Sequence, residues 1–435
     1  MSRLQKWLVG ALWVSLLFSP NSARADDDTS QTTQDAFVPN EVVLKLQSTS
    51  DLAGITAGFN LGVLDQFGAR PIYRLQINDS VPPPDKANAL LADSRVVYAE
   101  PNFEFQAPES RARSRPPWVI GGGSGGGDSM WASNALRLEE AHAISRGAGM
   151  RVAVLDTGVD TTHPLLAGKL MSGYDFVDDD TDPSERGTTN DYGYGHGTHV
   201  AGLVTLVAPD AKIMPIRALD PAGLGNIWVL AEALAYAFDP DGNPQTNDGA
   251  HVINLSLGTT RETELLENII DEITCNDDDS DDDDRCNDAG GAVVVAAAGN
   301  LGNETPHYPA AEQNVTGLIA VAASTQSNTL ASFSTRGSWV KVAAPGENIL
   351  SSVPGGGTGV WSGTSMAAPL TAGVAALARA QTPTYKPADI TNLIVSKGFA
   401  LCSGSIKHVD AAATLGLPQR SQSLCQTHIP LVIAS

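Results

Sequence analysis

Two rhythms of apolar residues divide the chain. Between about residues 37 and 106 the runs are short. Residues 41–47 alternate and are β-branched, 62–67 and 71–77 are brief strand-like runs on either side of a Gly-Ala-Arg turn, and 95–99 is a last one. Residues 51–59 read as a helix, as do 85–92, which follow Pro82-Pro83-Pro84. The order β-α-β-β-α-β predicts a ferredoxin-like α+β unit. From Trp131 onward, compact apolar runs replace alternation, at 150–155, 212–219, 251–257, 292–298 and 317–322. Strands buried on both faces have this pattern. Helical stretches at 227–238, 262–273 and 367–380 lie between or after them. The second region is therefore expected to be α/β, with a parallel sheet between helices. No repeat of fixed period is visible.

The chain has 435 residues, 42% of them apolar, enough for two or three globular domains. Its net charge of −22 argues against nucleic acid or an anionic membrane as partner, since both select basic surfaces. Residues 1–25 read as a signal peptide: Arg3 and Lys6 open it, an apolar stretch at 7–18 is too short to span a bilayer, and Ala23 and Ala25 form a small-residue cleavage site. An uncleaved anchor is the alternative. A secreted, extracellular protein without stable membrane insertion is expected. Residues 107–130 form a linker, basic and proline-containing at 111–117 and nearly all glycine at 121–127. It is either a plain tether or a processing region, and its place between a small unit and a large one favours processing. Four cysteines allow three disulfide pairings, of which proximity favours Cys275 with Cys286 and Cys402 with Cys425. No Cys-x-x-Cys pair suggests zinc.

Three segments carry candidate chemistry. In the first, 153–158, an apolar strand ends at Asp156 and a glycine turn follows, which is where active residues of open α/β sheets gather. In the second, 195–202, glycines flank His196 at the start of a helix. His199, three residues on, lacks the glutamate of a His-Glu-x-x-His metal pair and is read as a structural histidine. In the third, 362–369, Ser365 sits at the mouth of a helix, whose unpaired N–H groups suit a nucleophile that creates an oxyanion. Pro369 is expected in the first turn, where its missing N–H loses no bond. A serine hydroxyl needs a base, and the base an orienting carboxylate, and Asp156, His196 and Ser365 supply these roles.

In this order and with these motifs the chain resembles the subtilisin family of serine proteases, specifically its thermitase-like members, over about residues 131–416. The resemblance implies a three-layer subtilisin-like domain and a serine endopeptidase acting on polypeptide substrates through an acyl-enzyme, with no catalytic metal. Residues 296–300 resemble the oxyanion segment, which assigns Asn300 and the Ser365 N–H to the tetrahedral intermediate. Ser256-Leu257-Gly258 and Ala297-Ala298-Gly299 resemble the two walls of the pocket for the residue before the scissile bond. Gly223-Leu224-Gly225 resembles the edge that pairs with substrate backbone. The N-terminal unit, above all 98–102, is similar to the family's propeptide, an intramolecular inhibitor removed by the enzyme's own site, with the cut placed between about 105 and 130. A monomer is expected.

Asp175, Asp178, Asp180 and Asp182 fall in one short loop. Such a loop is either solvated or bridged by a cation. Calcium takes oxygen ligands of this kind, and thermitase-like relatives hold it at the matching place. Residues 239–243 read as a plain turn, and the acidic run between Cys275 and Cys286, foreign to the family, as a solvated surface loop. Residues 203–209 pass straight on from the His196 helix, so the calcium loop many relatives insert there is expected to be absent. Residues 417–435 form a tail outside the match. Two other readings stay open on the same fold, a peptide ligase or macrocyclase that passes the acyl group to an amine and an inactive binding protein. No anchor or repeat supports a structural surface protein.

Overall fold

The computed structural model describes residues 36–108, 131–243, 245–275, 286, 290–402 and 404–420. The signal peptide, the linker segment 109–130, most of the acidic loop after Cys275 and the tail beyond 420 lie outside the described residues.

The N-terminal unit follows the expected order. Strand β1 (Phe37–Leu46) leads to α1 (Leu52–Phe59), β2 (Leu61–Gln66), β3 (Ile72–Ile77), α2 (Pro83–Leu90) and β4 (Val96–Gln106). The strands are antiparallel in the order β2-β3-β1-β4. Both helices pack on one face, over a core of Val42, Leu44, Leu46, Ile55, Leu75 and Leu90. Strand β4 runs seven residues past the end expected from sequence. Its extension pairs with a strand of the second unit, and no local pattern announces such a partner.

The second unit is a nine-stranded sheet. Its strands are β5 (Arg151–Asp156), β6 (Tyr174–Asp175), β7 (Lys212–Arg217), β9 (Val252–Leu255), β10 (Val293–Ala297), β11 (Leu318–Ser324), β12 (Val342–Pro345), β15 (Phe399–Ala400) and β16 (Lys407–His408), in the order β15-β16-β12-β11-β10-β9-β5-β7-β6. All neighbours are parallel except β15 and β16. Strand β8 (Leu224–Asn226) leaves this sheet to join β4, and β13 (Ile349–Val353) and β14 (Gly357–Trp361) form a hairpin.

Successive residues of the sheet face opposite layers, which is why its strands are apolar throughout. Val152 and Val154 meet the short helices α3 (Trp131–Leu136) and α4 (Leu138–His142), α5 (His196–Val207), α8 (Thr364–Gln381), α9 (Pro387–Lys397) and α10 (Ala411–Thr414). Ala153 and Leu155 meet α6 (Ile227–Phe238) and α7 (Glu264–Thr274) on the other side. Phe67, Tyr98 and Phe105 of the N-terminal unit belong to that second layer, so the two units share one apolar core. Cys275 and Cys286 are disulfide-bonded to each other. Cys402 is also in a disulfide, and Cys425 lies outside the described residues.

Candidate active site

Asp156 ends β5, fully buried, and its Oδ1 accepts from the Thr157 N–H at 2.8 Å and from His196 Nδ1 at 2.7 Å. A carboxylate can only accept here, so the imidazole carries its proton on Nδ1 and turns Nε2 out as the basic nitrogen. Helix α5 comes this close to the strand because residue 197 is glycine: a Cβ there would lie 2.1 Å from the Gly158 carbonyl oxygen. His199 faces away. Its Nε2 donates towards the Ile349 and Gly359 carbonyls at 3.2 Å each, and its ring stacks on Trp361.

Ser365 is the second residue of α8 and is buried; its Oγ donates to the Ser256 carbonyl at 3.3 Å. Pro369 differs from its expected place. The helix begins at Thr364, so proline is its sixth residue and removes the N–H that would bond the Ser365 carbonyl. That carbonyl is satisfied from the sheet instead. Ser256 Oγ donates to it at 2.9 Å while accepting from Asn254 Nδ2 at 3.0 Å. The proline thus frees the Ser365 carbonyl to be tied to Ser256.

Asn300 follows β10 through Ala298 and Gly299, the glycine at φ +95°. Its Oδ1 accepts from the Thr364 N–H at 2.9 Å and the Thr364 hydroxyl at 3.0 Å. With the oxygen held there, the amide points its Nδ2 donor the other way.

A further residue that the motifs do not reveal is Glu185. One carboxylate oxygen accepts from Thr157 Oγ1 at 2.7 Å, the other from Thr198 Oγ1 at 2.8 Å and the Thr198 N–H at 3.3 Å. Thr157 Oγ1 in turn accepts the Gly197 N–H at 3.0 Å. Glu185 so clamps the turn after Asp156 to the first turn of the His196 helix, where a negative charge suits the helix N-terminus. Burial pushes its carboxyl up to about 7, and the nearby Asp156 charge adds to this. A lone glutamate in a loop carries no sequence signal for this role.

The cleft edges hold the chain's own residues. Strand β4 lies antiparallel to β8, with Phe105 opposite Gly225 and Gln106 opposite Leu224. Gln106 also exchanges both backbone bonds with Gly258, each 3.0 Å, and the Ala107 N–H donates to the Gly223 carbonyl at 3.0 Å. Residues 104–107 therefore form the middle strand between the two edges anticipated from Gly223-Leu224-Gly225 and Ser256-Leu257-Gly258. Phe105 packs on bare Gly225, where a Cβ would lie 2.6 Å from its ring.

The four aspartates proposed for a cation do not gather into one cage. Arg217 Nη1 reaches Asp175 and Asp178, both at 2.6 Å, and Arg186 reaches Asp182 at 3.1 Å. Asp175 Oδ1 accepts the N–H groups of Val177 and Asp178. Arg217 so gives Asp175 and Asp178 a counter-charge from the protein itself. Arg217, a charge closing an apolar strand, was the available signal. Among the described residues, the acidic oxygens that do converge, within 4.8 Å of one another, are those of Asp239 and Asp241, in the region read as a plain turn, and of Asp248 beyond it.

A family model described as the subtilase family matches residues 147–416. The chain belongs to the subtilase family. Its second unit is a subtilase domain with the subtilisin-like fold. A second model, the fervidolysin N-terminal prodomain, matches residues 23–102, so this subtilase carries a prodomain. It is 40% identical over 304 residues to the thermophilic serine proteinase of Bacillus sp. (strain AK1), covering 67% of this chain and 65% of that protein. It is 40% identical over 262 residues to thermitase of Thermoactinomyces vulgaris, covering 58% and 82%. Among solved structures, fervidolysin from Fervidobacterium pennivorans, described as a keratinolytic enzyme related to subtilisin, superposes with a TM-score of 0.69 at 26% identity, over 88% of this chain and 62% of that one. The subtilase thus spans just under two thirds of that proteinase and of fervidolysin. No helix among the described residues is long and apolar enough to cross a membrane.

Proposed function

We propose that the protein is a secreted endopeptidase made as an inhibited proform, with Ser365 as nucleophile, His196 as general base and Asp156 as its orienting carboxylate. Ser365 Oγ attacks the carbonyl carbon of the residue before the scissile bond, and its proton passes to His196 Nε2. The Asn300 amide and the Ser365 N–H receive the developing oxyanion. Collapse expels the amine, which takes the proton from His196 and leaves an acyl-enzyme. Water, deprotonated by the same imidazole, then releases the acid.

The observation that carries this reading is the strand 104–107 in the cleft. Antiparallel pairing of Gln106 with Gly258 brings residue 108 opposite Ser256, whose carbonyl receives the Ser365 hydroxyl. The prodomain so offers its own chain as a substrate, and self-cleavage is expected after Pro108. It blocks the cleft until its product strand leaves.

The test is Ser365→Ala. Folding should persist, because one hydroxyl is removed from an intact helix, while turnover falls roughly 10⁶-fold. The variant should accumulate as an uncut proform, and a trace of active enzyme should convert it to a chain beginning at Glu109, read by N-terminal sequencing. Maturation of the pure variant at the wild-type rate would overturn the assignment. Mass spectrometry of the products distinguishes hydrolysis from acyl transfer to an amine.

A structural calcium is retained only for the outer arm of the acidic loop, Asp180 and Asp182, which are exposed. Calcium should raise the melting temperature by binding the folded state, and Asp180→Asn should remove most of that rise. Equal melting in calcium and in chelator would end the idea.

A further inference from the structure

We propose that His307 forms the floor of the pocket for the residue before the scissile bond and restricts the enzyme to a small side chain there: glycine, alanine or proline. The inference rests on reading residues 104–108 as a substrate-like strand.

In that register the side chain of residue 108 enters between the walls 256–258 and 297–299. Each wall ends in a glycine, and the two bare positions face the same ring. A Cβ on Gly258 would lie 2.2 Å from His307 Cε1 and 2.6 Å from its Nδ1. A Cβ on Gly299 would lie 2.9 Å from Cγ and 3.1 Å from Cδ2 of the same imidazole. The ring therefore fills the space where the walls approach each other. It is 6% exposed, and its Nδ1 lies 3.2 Å from the carbonyl of Ala297, part of one wall. The backbone next to it is pinned to the other wall's continuation. The Thr259 N–H donates to the Tyr308 carbonyl at 2.9 Å and the Tyr308 N–H returns to Thr259 at 2.7 Å. Swinging the ring out would give up its contact with the Ala297 carbonyl and its packing between the two glycines, while the pinned backbone keeps the residue from moving as a whole.

A phenyl or long aliphatic group needs about the volume the imidazole already occupies, so both cannot enter. The chain's own cleft strand obeys this limit. Buried Pro108 follows Ala107, and the aromatic residue stands three places upstream, where Phe105 packs on Gly225. Two bare glycines alone would leave a deep slot, and His307 converts it into a shallow one.

The experiment uses the mature enzyme and chromogenic amides Phe-Gln-Ala-X, with X alanine, proline, leucine or phenylalanine. The alanine substrate should exceed phenylalanine at least tenfold in kcat/KM, within the range steric pocket discrimination provides. His307→Gly should shift the phenylalanine-to-alanine ratio tenfold or more towards phenylalanine, and His307→Ala should fall between. A wild-type enzyme that prefers phenylalanine overturns the proposal without any variant. So does a folded glycine variant with an unchanged ratio. No hydrolysis of any of the four, with no phosphonate label at Ser365, overturns the protease reading and the pocket with it. A labelled, active enzyme with the wrong preference overturns the pocket alone.

Discussion

The first turns of helices α7 and α8 are completed in opposite ways. At α7 the Glu264 and Leu265 N–H groups donate to the carboxylate of Glu100, a residue of the prodomain, at 3.1 and 3.0 Å. Thr263, at the N-cap position, makes no cap bond of its own. At α8 the Thr364 N–H donates to Asn300, within the peptidase domain. A helix cap contributes about 1 kcal/mol. The prodomain lends that contribution to α7, and Asn102 adds to it by accepting from the Trp228 N–H of α6. It can stabilise the α6–α7 layer while the chain folds, and then depart without disturbing the start of α8. The two ends also differ in charge. Glu100 is buried beside Glu264, and desolvation pushes its carboxyl up to about 7. Glu312 is pushed up to about 8 by burial and by Glu267, Glu262, Glu264 and Glu100. The α8 end carries a neutral amide.

Three changes would break or sharpen this contrast. The largest effect is expected from Asn300→Ala, which removes the proposed oxyanion donor and the α8 cap together: turnover should fall roughly 10²–10³-fold with KM little changed. Steady-state kinetics with unaltered turnover would show that the α8 end owes nothing to its internal partner.

The next effect is pH dependence of the prodomain's grip. Glu100 titrates near 7 in the complex and near the ordinary glutamate value of about 4.3 once solvated. The complex therefore holds a proton that the separated parts release. This contribution is fully present below about pH 4 and is lost as pH rises through 7. In Ser365→Ala protein trimmed at residue 108, dissociation should strengthen roughly ten- to a hundredfold between pH 5 and 9. Glu100→Gln should flatten the curve, and a curve unchanged by it would place the pH sensitivity elsewhere.

The smallest effect belongs to Arg70→Ala. The Arg70–Glu272 ion pair joins the two units at 2.6 Å, but its side chains are 32% and 26% exposed. Solvent screens such a pair to about 1 kcal/mol or less. The complex should loosen no more than about fivefold, and a larger loss by calorimetry would make this rim contact a rival of the Glu100 cap.

The prodomain topology, the apolar strands and the segments around Asp156, His196, Asn300 and Ser365 were all legible in the chain. Each depends on local constraints: side-chain period, a glycine where backbone must approach, a helix start that needs a partner. Helix 227–238 is legible to the residue, because its apolar pattern lies within the segment itself. The hairpin β13–β14 and helix α9 were not anticipated. Pro369 was read by proximity to a helix start that lies earlier than expected, and its consequence appears only once Ser256, more than a hundred residues away, reaches the freed carbonyl.

What the sequence by itself determined is the segments that meet at the candidate site and the elements that carry them. What the tertiary structure decided is which distant groups neutralise or confine them: Arg217 among the aspartates, Glu185 across two threonines, Glu100 on α7, His307 between two glycines. These pairings join elements far apart along the chain. A charge or ring finds its partner there only after the sheet order has set which strand ends and loops lie side by side, and no short-range pattern encodes that order.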